Sequence, residues 1–427
     1  MNFILTLDLV VQIYKFIFKQ TIQESKIKVY FCRMKIASEK EQEFILKNLN
    51  SDINKLLLQN HNEDIDIKFC VRQIEGYNKA KEKFASLIKN HNLLFPNKIN
   101  LEQSSSGETA HYKASLLHKD STLRDLTSGF GIDDIFFAKE IKKVYYHETD
   151  IELALIAEHN FKLLGINNIE ISQGNSLNSF EELAETDIIY IDPSRRDANN
   201  NKVVLLKDSE PNIVAILPKL FEKAKKIYIK LSPMLDIKLA MQELINTKEV
   251  HIISVKNECK ELLVVLERNY TNEVIFHCID IIPNHISKFT FTQEKSISRF
   301  AEINLIKRGI FLYEPNASIM KAGGYHHISQ AYQIDKLAPH SHLFISENEI
   351  EDFPGRSFII KGVMQYNNKT IKNLSKCFPK ANITTRNFPQ TVAQIRERTK
   401  INEGSDEYLF FTTDNKSNRI IISCEKT

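Results

Sequence analysis

The sequence predicts an α/β fold: a Rossmann-like, seven-stranded sheet, preceded by an α-helical N-terminal region and followed by small α+β domains. Three observations predict it. Between residues 121 and 270, short β-branched runs alternate with helical runs, the pattern of βαβ units and a parallel sheet. The last two runs are separated only by Asn-Glu-Cys-Lys, too short for a crossover, so that pair is antiparallel. A turn with two glycines follows the first strand, and polar residues close the next three strands.

The elements follow in chain order. The opening MNFILTLDLVVQIYKFIF is apolar but carries Asp8 and Lys15, and it is short of the ~20 residues that span a membrane. It lacks the basic start and small-residue cleavage site of a signal peptide. Residues 1–33 are either an extra helix or strand or a stretch upstream of a true start at Met34, with a membrane anchor as the third alternative. Residues 34–120 read as α-helical: EKEQEFILKNL, DINKLLLQ and KAKEKFASLIKNHNLLFP place apolar residues three and four apart, and the last run stops at Pro96. LEQSSSGETAHYKA begins as a polar loop and then offers a helix start. A loop this polar before the first strand suits closure over a ligand, or it is a plain linker.

Residues 121–270 hold the strands TLRDL, KVYYHE, IEIS, DIIYID, KIYIKL, HIISVK and ELLVVLE. DDIFFAKEI, IELALIAEHNFKLLG, SFEELAE and PNIVAILPKLFEKAK are the helices between the first five. In 271–330, VIFHCIDII, KFTFTQ and IFLYEP are strand-like and SISRFAEINLIKRG helix-like. In 331–427, HLFISE, SFIIKGVMQ, YLFFTTD and NRIIISCE are strands and TVAQIRERTKINEG is a helix.

The chain has 427 residues, with 57 Lys and Arg against 54 Asp and Glu, a net charge of +3. That balance excludes a highly basic nucleic-acid coat and an acidic tail, but not a locally basic face. The six cysteines stand singly with no CxxC, which speaks against a disulfide framework or structural zinc and fits a reducing cytosol. His326-His327 and His340-Ser-His342 have no nearby Cys or acidic cluster, so no metal is expected.

The sharpest constellation is Asp125-Leu-Thr127-Ser-Gly129-Phe-Gly131-Ile-Asp133-Asp134. Two glycines one residue apart let the backbone turn tightly and approach a ligand. Asp125 is placed to accept from an amino group. The second strand ends in Glu148, where an acid can accept from both ribose hydroxyls. The third runs into Asn175, whose amide suits an adenine edge, and the fourth ends in Asp192-Pro-Ser-Arg-Arg-Asp197. Open α/β sheets bind ligands at these carboxyl ends. A dinucleotide fingerprint needs a third glycine where this chain has Asp134, and a carboxylate there repels a pyrophosphate at the helix start. S-adenosylmethionine carries no phosphate and suits the acidic turn. A sheet without any site is the remaining alternative.

DLTSGFGIDD, HETD, QGNS, DIIYIDPSRRD and the closing hairpin together resemble the class I adenosylmethionine-dependent methyltransferase fold. More narrowly, LEQSSSGETAHYKA, DPSRRD, KLSPMLDI, KNECKELL, YEPNASIMKAG, SHLFIS, FPGR, ANITTRNFP and EGSDEYLF resemble a bacterial family assigned as methyltransferases with a C-terminal THUMP-like domain. The likeness runs from Met34 to the C-terminus and implies a helical cap over 34–120 and a catalytic domain over 121–270. It further implies a small ferredoxin-like segment over 271–330 and the THUMP-like domain over 331–427. RNA is the implied substrate, because true THUMP domains accompany RNA-modifying enzymes. The alternatives are a methyltransferase for a protein or small molecule, and an inactive RNA-binding module.

The resemblance makes Asp125, Thr127, Gly129, Gly131, Glu148 and Asn175 the cofactor residues and Asp192, Pro193, Ser194 and Arg195 the catalytic ones. Many amino-methylating enzymes carry Asn/Asp-Pro-Pro-aromatic there; here Ser194 replaces the second proline and Arg195 the aromatic, leaving guanidinium stacking in its place. Arg195 and Arg196 either contact phosphate or base, or pair with Asp197 or Asp187. Cys259, placed in the hairpin turn, is read as structural and not as a nucleophile. Arg386, Arg396, Arg398 and Lys400, with Lys380 and Phe388, form a basic stretch around the single acid Glu397, suited to tracking RNA phosphates or else a plain solvated face.

Overall fold

The computed structural model describes residues 35–59, 64–88, 92–193, 206, 209–293, 298–302 and 306–427. The expectations for residues 1–33, and for Ser194, Arg195 and Arg196, therefore lie outside the described residues. The chain divides into two compact units, with the main division between Ile229 and Lys230.

In the first unit, short capped helices come before the sheet. Glu39–Lys47 opens with a capping box between Ser38 and Glu41, and Ile53–Gln59 follows. Ile67–Lys83 is capped by Asp66, which accepts from Phe69 N at 3.0 Å. This helix ends at Phe84 rather than running on to Pro96 as expected. The reason is a pair of buried amides. The Gln73 side chain satisfies both backbone groups of Phe95, at 2.9 and 3.1 Å. Asn160 does the same for Leu94, at 2.9 and 2.8 Å. Paired this way, residues 94–95 are buried outside any helix with their backbone groups satisfied. Lys98–Gln103 and Gly107–Ala114 complete the region, the latter capped by Ser106.

Five strands then form a parallel sheet: β1 Thr122–Asp125, β2 Lys143–Glu148, β3 Ile169–Gln173, β4 Thr186–Ile191 and β5 Ala224–Leu231. Their order is β3-β2-β1-β4-β5, so the chain reverses its direction of travel between β1 and β4. A crevice opens at such a switch point, at the carboxyl ends of those strands. The helices Ile132–Glu140, Ile151–Leu163 and Ile213–Lys223 lie between them as expected, whereas SFEELAE forms a 3₁₀ segment, Ser176–Glu182, kinked at Ser179.

In the second unit, β6 Thr247–Val255 and β7 Glu258–Glu267 make the expected antiparallel hairpin. Its turn is only Lys256-Asn257, with φ of 50° and 62°, the left-handed pair a tight hairpin requires. Cys259 therefore lies in β7 and not in the turn, and burial pushes its thiol up to about 11. β8 Ile275–Ile282 pairs parallel with β6, and β9 His285–Thr292 antiparallel with β8. A separate sheet joins β10 Phe311–Pro315, β11 Asp335–Lys336, β12 Phe344–Ser346, β13 Gly355–Gln365, β14 Asn382–Thr385, β15 Glu407–Thr413 and β16 Arg419–Lys426. The segment expected at 271–330 is thus divided, with β8 and β9 beside β6 and β10 in the other sheet. The helix expected from SISRFAEINLIKRG is absent among its described residues, where Phe300 bridges to Lys336.

That second sheet is apolar on both faces. Phe410, Ile420, Ile422 and Cys424 point to one core, and Leu409, Phe411 and Ile421 to another beneath the helices Asn368–Cys377 and Val392–Thr399. This is the two-residue alternation of strands covered on both sides.

Candidate active site

The turn after β1 is built by its hydrogen bonds. Asp125 is 2% exposed and accepts from Thr127 N at 2.7 Å and from Thr127 Oγ1 at 3.2 Å. The same hydroxyl accepts from Asp192 N at 2.7 Å, so Thr127 ties the ends of β1 and β4 together. Gly129 and Gly131 have φ of 58° and 78°. A Cβ on Gly131 would stand 2.6 Å from Phe161 Cζ, so any other residue needs Phe161 to shift as well as a left-handed backbone. Gly129 N donates to Glu148 Oε2 at 2.9 Å, and Tyr146 OH donates to Gly129 O at 2.7 Å. Glu148 Oε1 accepts from Asp150 N at 2.7 Å. The structure thus brings Asp125, Thr127, Gly129, Gly131, Glu148, Asp192 and Pro193 to one edge of the sheet. Asn175 follows β3, where its side-chain oxygen caps the 3₁₀ segment, accepting from Leu177 N at 2.9 Å.

Below the turn lies an acidic interior. Asp134 is fully buried, and neither of its oxygens makes a hydrogen bond of normal geometry, although the Ser128 hydroxyl is close enough to act on it. Burial first, and then the charges of Asp125 and Asp133, raise its carboxyl well above the usual range. Asp125 is raised likewise, by burial and by Asp133 and Asp192, against the lowering effect of Thr127 N.

Sequence reasoning missed what balances these acids. Lys113, on the helix Gly107–Ala114, is fully buried, and its Nζ lies 2.9 Å from Asp133 Oδ2. The ammonium also donates to Ser105 Oγ at 2.8 Å and to Tyr190 OH at 3.2 Å. Ser105 and Tyr190 both donate to the same Asp133 oxygen, at 2.9 and 2.8 Å. LEQSSSGETAHYKA is therefore neither a linker nor a free lid: its Ser105 and Lys113 hold the floor beneath the glycine turn. The available signal was the adjacent Asp133-Asp134 pair, which needs a cation once buried.

Asp187 does not lie at this edge. It accepts from Thr122 N at 2.8 Å, at the amino end of β1. Asp236 caps the helix Ile237–Glu243.

The expected RNA-contacting residues are mostly engaged within the second unit. Arg386 pairs with buried Glu314, Nη2 to Oε1 at 2.6 Å. Arg396 donates to the carbonyls of Ile401 and Ala381, at 3.0 and 3.2 Å. Arg398 donates to Tyr366 OH and Asn368 Oδ1, both at 2.8 Å, yet stays exposed. Phe388 is half-buried and makes T-shaped contacts with Tyr366 and Phe411. Lys400 is exposed, in the left-handed cap position of its helix.

Comparison with known proteins places two domains. Residues 311–354 match a ferredoxin-like domain family and residues 355–426 a THUMP domain-like family. The ferredoxin-like match begins at 311 rather than at the expected 271. No curated protein matches the chain. The crystal structure of a "putative methyltransferase" from Porphyromonas gingivalis W83 is 28% identical, covers 92% of this chain and 100% of its own, and has a TM-score of 0.82. An rRNA methylase from Streptococcus thermophilus is 18% identical, covering 38% of this chain and 93% of its own at a TM-score of 0.28. TrmK of M. capricolum, in complex with S-adenosyl-homocysteine, is 15% identical, covering 38% and 68% at a TM-score of 0.30. The fold assignment rests on the P. gingivalis structure: this chain has the same fold over nearly its whole length, with a THUMP-like domain at its C-terminal end.

Proposed function

We propose that this protein is an S-adenosylmethionine-dependent methyltransferase acting on RNA. The observation that carries the reading is Glu148. Its carboxylate ends β2 and is held by Gly129 N in the glycine turn after β1, beside buried Asp125. The residues fit the cofactor. An ammonium or sulfonium beside these acids favours their ionised form and is attracted by it, whereas a pyrophosphate is opposed. Gly129 meets nothing nearer than Thr127 O at 3.9 Å where a side chain would begin, so its backbone is open to close approach. Bound there, S-adenosylmethionine supplies an electrophilic methyl group.

The protein's part is positioning. Glu148 accepts from ribose hydroxyls, Asp125 and Thr127 face the amino-acid end, Gly129 and Gly131 leave room, and Asn175 offers its amide to the base. Asp192 and Pro193 hold the acceptor, with Ser194, Arg195 and Arg196 completing that loop. The THUMP-like domain supports RNA as substrate, with Arg398 and Lys400 as the exposed contacts and Arg386 and Arg396 shaping the surface behind them. A cytoplasmic location belongs to the same proposal, supported by the scattered single cysteines.

The second reading, a protein or small-molecule methyltransferase, is favoured by one observation: Arg386, Arg396 and Arg398 all have partners within their own unit. Transfer of labelled methyl groups to total RNA from a deletion strain separates the two. RNA labelling that falls when Arg398 and Lys400 are both changed to Ala, with filter retention fading steeply in salt, supports RNA. Labelling confined to protein or small molecules refutes it.

A further inference from the structure

Away from the glycine turn, three neighbouring strands of the second unit gather ligand atoms on one face. Glu249 and His251 are two apart on β6 and so share a face. His277 on β8 lies directly opposite His251, and Thr290 on β9 opposite His277. Glu249 Oε2 is 3.1 Å from His251 Nε2 and 3.7 Å from His277 Nε2. The two imidazoles stack with centroids 4.5 Å apart, and the three ligand atoms all lie within 4.8 Å of one another. Tetrahedral zinc, with bonds of about 2.0–2.1 Å to N and O, separates its ligand atoms by about 3.3 Å. The two carboxylate-to-imidazole distances bracket that value.

We propose that Glu249, His251 and His277 form a binding site for one divalent transition-metal ion, zinc by its donor set, that ties β6 to β8. Local spacing does not reveal it, because the histidines that stand close in sequence, His326-His327 and His340-Ser-His342, are different ones.

Chemistry supports the site. Thr290 Oγ1, 3.1 Å from His277 Nδ1, can accept that ring's proton and turn the Nε2 lone pair toward Glu249. His251 is 2% exposed while the His277 and Glu249 side chains are 14% and 27% exposed, which leaves a path for the ion. Two cations oppose it. Lys248 is turned to Glu267, at 2.9 Å, and away from Glu249, at 3.9 Å. Lys288 acts on both histidines from β9.

The test is a Co²⁺ titration of the full chain after chelation and dialysis, followed by visible absorption, with Zn²⁺ as competitor. One equivalent of Co²⁺, displaced by Zn²⁺, is expected. Thr290→Val should weaken binding about tenfold or more, and His277→Ala by a larger factor. Lys288→Gln should tighten it. Thr290 and Lys288 are exposed, so those variants keep the fold even where His277→Ala does not. No uptake, or uptake unchanged in both Thr290→Val and Lys288→Gln, overturns the proposal.

Discussion

Lys113→Met is the sharpest test of the acidic floor. Lys113 is fully buried, and its ammonium bonds Asp133, Ser105 and Tyr190. Methionine keeps most of the side-chain volume, so the loss is electrostatic and not a cavity. Asp133 then faces the raised carboxyls of Asp125 and Asp134 without its ion-pair partner. Breaking one half of a buried ion pair costs about 3–5 kcal/mol. For a unit of this size each kcal/mol moves the melting temperature by about 2–4 °C, so a fall of roughly 6–20 °C is expected. Far-UV circular dichroism through a thermal ramp measures it. Lys113→Met with Asp133→Asn removes both charges, leaves Ser105 and Tyr190 an amide oxygen to donate to, and should recover most of the loss. A single variant within about 1 kcal/mol of the parent, or a double variant as unstable as the single, contradicts the ion-pair account.

Asp134 predicts a pH dependence of defined sign. Its folded-state pKa is raised above the ordinary value of about 3.9, so its contribution is fully present below that pH and is lost as pH rises through the folded value. Asp134→Asn should therefore gain stability relative to the parent as pH is raised from about 4 to 8 in urea melts; a pH-independent difference argues that the carboxyl is not raised. Gly129→Ala and Gly131→Ala both place a side chain at positive φ, costing about 1–2 kcal/mol. Only Gly131 also meets Phe161, at 2.6 Å, which adds about 1–3 kcal/mol of overpacking. Equal losses in chemical denaturation would show that the Phe161 contact yields.

How much of this was legible depends on how local each cause is. The β-branched runs around Val144, Ile171 and Ile189 became β2, β3 and β4 because alternating or continuous apolar runs specify strands by themselves. The hairpin was legible from the missing crossover, but its two-residue turn was not, because only the φ values of Lys256 and Asn257 decide it. The helix overran to Pro96 in the sequence because Leu93, Leu94 and Phe95 continue an apolar pattern. Gln73 and Asn160, 22 and 66 positions from their partners, redirect it. The helix Asn368–Cys377 was missed, since it buries only Ile371 and Leu374 among polar neighbours. In the site, the glycines, Asp125 and Glu148 were visible at strand ends. Lys113 was not, because a lysine in a helix reads as solvated until Ser105, Asp133 and Tyr190 converge on it from three different elements.

The proposed function requires above all that the glycine turn and Glu148 hold S-adenosylmethionine. Titration calorimetry of the full chain with S-adenosylmethionine tests it directly, beside a variant carrying Glu148→Ala and Gly129→Trp together. The parent should bind one equivalent and the variant none, with the melting temperature confirming that the variant is folded. No binding by the parent, or full binding by the folded variant, would contradict it.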